Sequence, residues 1–177
     1  SDTKFLKINK INFYCNKLET IRPLRPIIYN DNLLVIIDYA TIGFYDKKNF
    51  VLKYTIDLDF ESNLNDNETY PISFTKFNDK LFISYSDGLL ISINFEGKII
   101  WKIQFNDIIK TPIKIFNSNI IIMLTDRLIS INPKKGDINW EFIYENDTNN
   151  LLNSNGGEIV NLNHLLFFIL PNSRIGK

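Results

Sequence analysis

Gly88-Leu-Leu-Ile-Ser-Ile-Asn-Phe-Glu-Gly-Lys-Ile-Ile-Trp101 returns as Arg127-Leu-Ile-Ser-Ile-Asn-Pro-Lys-Lys-Gly-Asp-Ile-Asn-Trp140. An eroded copy, Gly43-Phe-Tyr-Asp-Lys-Lys-Asn-Phe-Val-Leu-Lys-Tyr54, precedes both. Each copy reads as a strand, a tight turn and a second strand ending in an aromatic residue. A period of roughly 40 residues built only from short strands is the pattern of a propeller blade. The expected fold is therefore all-β: a β-propeller of four-stranded antiparallel blades.

Working outward from these copies, equivalent positions define a blade over residues 26–70, with strands near Ile27–Tyr29, Leu33–Asp38, Thr41–Tyr45 and Phe50–Ile56. A second blade covers 71–111, with strands near Ile72–Phe77, Lys80–Tyr85, Leu89–Asn94 and Lys98–Gln104. A third covers 112–156, with strands near Ile113–Phe116, Ile120–Leu124, Leu128–Asn132 and Ile138–Ile143. Residues 157–177 hold Glu158–Leu162, Leu165–Leu170 and the start of a third strand. Residues 1–25 read as a preceding or closing segment, with Ile11–Leu18 as an outer strand.

Turn chemistry agrees. Asn30-Asp31-Asn32, Asn78-Asp79-Lys80 and Asn117-Ser118-Asn119 each follow a first strand, and Asn and Asp tolerate left-handed backbone. Gly97 and Gly136 fall where the next hairpin needs positive φ. Pro26, Pro71 and Pro112 stand at strand starts, where a missing N–H costs least. A propeller that does not close leaves raw strand edges. The 177 residues are thus expected to be about four blades of a larger ring of roughly seven or eight, within a longer chain.

Composition bounds the role. Hydrophobic residues make up 45% of the chain and charged residues 23%, a globular mixture. Lys plus Arg equals Asp plus Glu at 20 each, with no basic run longer than a pair, which disfavours binding to a phosphate backbone. Ile and Phe are abundant and Ala40 is the only alanine, which suits strands. Cys15 stands alone, so no intrachain disulfide forms. No apolar run reaches the length of a membrane helix.

The pattern Gly-x-Leu-x-x-Ile-Asn-x-x-x-Gly-x-x-x-Trp resembles the PQQ-like propeller repeat. The resemblance implies that Trp101 and Trp140, with Tyr54 and Tyr14 as substitutes, dock between neighbouring blades. A large flat side chain fills the gap between wedge-shaped sheets, and its N–H reaches a carbonyl next door. Two classes of that family compete. One is the periplasmic quinoprotein dehydrogenases, which hold pyrroloquinoline quinone and calcium. The other is the non-catalytic scaffold, above all the lipoprotein of the outer-membrane β-barrel assembly machinery, BamB.

The adjacent cysteines common in the enzymes are absent, since Cys15 has no neighbour. The expectation is a scaffold without cofactor, periplasmic and lipid-anchored outside this chain, whose protein partner is the barrel-forming subunit. A dehydrogenase fragment and a generic propeller sensor or interaction domain are the alternatives.

Candidate residues follow. Leu151 and Leu152 form an apolar pair in the polar loop 145–158; the resemblance implies a gripping loop there, and a satellite core is the plainer alternative. Asp57, Asp59, Glu61, Asn63, Asn65 and Glu68 have the oxygen spacing of a calcium loop, but Ser62 stands where such a loop wants glycine. A solvated strand end is the simpler reading. His164 is the only histidine, expected near a strand start, and builds no zinc site by itself. Cys15 reads as a small strand residue. Asn67-Glu-Thr69 and Asn146-Asp-Thr148 are sequons that matter only in a eukaryotic secretory setting.

Overall fold

The computed structural model describes residues 24–37, 40–58, 69–144, 157–169 and 175–176, and among these it contains no helix. The first sheet joins β1 (Ile27–Tyr29), β2 (Asn32–Ile36), β3 (Thr41–Asp46) and β4 (Leu52–Asp57) in chain order. The second joins β5 (Pro71–Phe77), β6 (Lys80–Tyr85), β7 (Leu89–Ile93) and β8 (Ile99–Gln104). The third joins β9 (Lys114–Phe116), β10 (Asn119–Met123), β11 (Arg127–Ile131) and β12 (Ile138–Ile143). In the fourth, β13 (Glu158–Leu162), β14 (Leu165–Ile169) and β15 (Ile175–Gly176) are described. Every pairing is antiparallel between sequence neighbours, as in the blades of a β-propeller.

Period-two alternation sends the two faces of each middle strand to different seams. In β6, Leu81, Ile83 and Tyr85 pack with Leu34, Ile42 and Phe44 of the first sheet. On the opposite face Phe82 packs with Ile120, Ile122 and Ile129 of the third. Ile121, Met123 and Leu128 then meet Ile159 and Phe168 of the fourth. Both faces of β6, β7, β10 and β11 are buried, which is why these strands are near-continuous apolar runs. The outer strands β4 and β12 are exposed along most or all of their length.

Three details depart from the sequence expectation. Pro71 does open β5, but Pro26 and Pro112 precede β1 and β9, whose strands of three residues begin later. His164 is not at a strand start: Asn163 (φ 49°) and His164 (φ 63°) form the turn between β13 and β14, as Asn117 and Ser118 do between β9 and β10. Asn and His accept that left-handed backbone better than bulky or branched residues do. Finally, Arg127 takes the place of Leu89 rather than of Gly88, because the third sheet's β11–β12 hairpin is longer than its counterpart.

Candidate functional site at the blade seams and outer strands

Each outer hairpin opens with the same cap. Asn94 Oδ1 accepts N–H groups from Glu96 and Lys98, and Asn132 Oδ1 accepts from Lys134 and Lys135. In the first sheet Asp46 Oδ1 accepts from Lys48 and Asn49. A short carbonyl side chain that captures the amide two residues on, with a second amide three or four residues on, is an Asx turn, which explains the Asn of the repeat. Each hairpin then carries a bulge at one shared position, opposite Phe44/Tyr45, Ser92/Ile93 and Ser130/Ile131. That common register makes Tyr54, Trp101 and Trp140 structural equivalents.

Trp101 leaves its own sheet. Its Nε1–H donates to the Pro133 carbonyl of the third sheet at 3.1 Å. The indole lies over Gly136 (φ 83°), where an added Cβ would come within 3.0 Å of Cδ2. Ser92, across the strand pair from Trp101, is small, and the ring reaches Phe82 at 5.8 Å between centroids. Gly97 (φ 84°) stands in the same place one sheet earlier, and there the neighbour is Ile56, whose Cγ2 lies 2.1 Å from a built Cβ.

The equivalents differ. Tyr54 faces Phe44 where Trp101 faces Ser92, and the two rings stack within their own sheet at 4.5 Å and 15°. Trp140 is 41% exposed, and no hydrogen-bond or ring partner for it is found among the described residues. Beside it Phe142 sets its ring edge-on to Phe168 at 5.7 Å. Phe50, at the position of Gly97 and Gly136, has φ 60°, and its N–H donates to the Asp46 carbonyl as Gly136 donates to that of Asn132. Sequence reasoning missed Phe50. The signal was its offset from Tyr54, which equals that of Gly97 from Trp101.

Charges cluster at the base of β12. The Arg127 guanidinium grips both oxygens of Asp126 at 2.8 Å and reaches Glu141 at 2.9 Å. The arginine holds the Asp126 carboxyl below the usual carboxylate range, against a smaller opposing effect of burial, and the two carboxylates hold Arg127 protonated. Tyr144 donates its hydroxyl to the Leu124 carbonyl at 2.6 Å. Burial, followed by the charges of Asp126 and Asp107, pushes its phenol up. Asp107 fastens Thr125 through both N–H and Oγ1, at 2.8 and 2.7 Å. These contacts fix the loop geometry under β12.

Tyr14, Cys15, Leu151 and Leu152 lie outside the described residues, as do both sequon asparagines and the calcium-like run from Asp59 to Glu68. Asp57 ends β4 and accepts a hydrogen bond from Thr41 at 3.1 Å, and Leu58 is buried in the first seam. Among the described residues no three His, Cys, Asp or Glu side chains group as metal ligands. Among the same residues no helix is long and apolar enough to cross a membrane.

No protein-family profile matches the chain. The uncharacterized protein RP232 of Rickettsia prowazekii (strain Madrid E) is 29% identical over 139 residues, which cover 70% of this chain and 32% of that protein. The match thus spans about a third of the relative's length. Among solved structures, BamB from Moraxella catarrhalis superposes with a TM-score of 0.53 at 12% identity, over 71% of this chain and 36% of its own. The quinohemoprotein alcohol dehydrogenase ADHIIG from Pseudomonas putida HK5 gives 0.58 at 12% identity, over 82% and 28%. The computationally designed Ika4 protein gives 0.64 at 7% identity, over 89% and 90%. At such identities the likeness is one of fold: this chain is built of β-propeller blades, an architecture it shares with BamB and with quinohemoprotein dehydrogenases.

Proposed function

We propose that this chain is a non-catalytic protein-interaction scaffold, most like the propeller lipoprotein of the outer-membrane β-barrel assembly machinery. The observation that supports this reading is the architecture, antiparallel four-stranded sheets packed against one another, a fold shared with BamB. Such sheets form a platform whose function is carried by what is grafted on it. On this reading the chain works in the periplasm, tethered to the outer membrane by a lipid outside these 177 residues. Its partner is the barrel-forming subunit, and no bond is made or broken.

The test is an affinity capture of the full-length protein from its native envelope, with partners identified by mass spectrometry. Recovery of the barrel-assembly subunits supports the reading. If nothing is enriched, and pyrroloquinoline quinone with calcium binds the full-length protein in a titration, the dehydrogenase reading replaces it.

A further inference from the structure

We draw no further inference here: the strongest candidate, the apolar face that β13 and β14 turn away from the third sheet with Val160, Leu162, Leu165 and Ile169 exposed on it, carries none, because nothing in the structure shows what covers it.

Discussion

Trp101 and Pro133 tie two sheets together, the indole Nε1–H donating to the carbonyl at 3.1 Å while the ring lies over Gly136. Trp101→Phe removes that hydrogen bond and part of the seam's volume. The expected loss is about 2–3 kcal/mol. Gly136→Ala adds a Cβ at φ 83° that comes within 3.0 Å of the ring. A left-handed Ala costs about 1–2 kcal/mol before the indole is displaced. Urea denaturation measures both, as a lower midpoint at unchanged slope. Variants that stay within about 0.5 kcal/mol of the parent would show that this contact does not hold the seam.

The neighbouring seam uses different chemistry at the same place. A Cβ on Gly97 would stand 2.1 Å from Cγ2 of Ile56, so Gly97→Ala collides with that side chain as well as straining the turn. Ile56→Ala removes the colliding methyl at the expense of buried surface. The double variant should then be less destabilised than the sum of the two single changes, by about 1 kcal/mol. Strict additivity would mean that the collision is relieved by backbone movement instead.

The strand pattern was legible in the sequence because alternation, Asn-rich turns and the Trp–Gly offset all derive from the blade itself. Gly97 and Gly136 declare their φ through residue type. Phe50 hides the same requirement, since nothing about phenylalanine announces a left-handed turn; only its place in the repeat does. Trp101 and Trp140 look alike in sequence, and their register is the same. The neighbour of Trp101 is supplied by Pro133, 32 residues along the chain, which a local motif does not encode.

Ser92 and Ser130 are fully buried opposite Trp101 and Trp140, and their hydroxyls have no hydrogen-bond partner among the described residues. Burying an unpaired hydroxyl is unfavourable. Ser92→Ala and Ser130→Ala keep the small volume that the indole requires and remove the polar group. Each should raise stability by about 1 kcal/mol, read as a higher urea midpoint. A loss of similar size would reveal a partner for the hydroxyl.

Asp46 stands where the other two hairpins have Asn94 and Asn132, and it adds a charge that those turns lack. Its carboxyl is held below the ordinary carboxylate range by the Lys48 N–H first, followed by Lys53 and the Asn49 N–H. The unfolded chain therefore takes up a proton at a higher pH than the folded one. The stabilisation is complete above the unfolded pKa and is lost as the pH falls through the depressed folded value, a window lying below about pH 4. Asp126, lowered chiefly by Arg127, acts in the same direction. Asp46→Asn keeps the Oδ1 acceptor that caps the turn and loses only the titrating charge and its contact with Lys53 at 3.1 Å. Stability at neutral pH should stay close to that of the parent, and the decline on acidification should become shallower. Asp46→Ala, which removes the acceptor as well, should be less stable at every pH. Urea midpoints at neutral pH and near pH 3 decide the matter. An Asn variant that loses as much on acidification as the parent would show that Asp46 does not contribute to the acid limb.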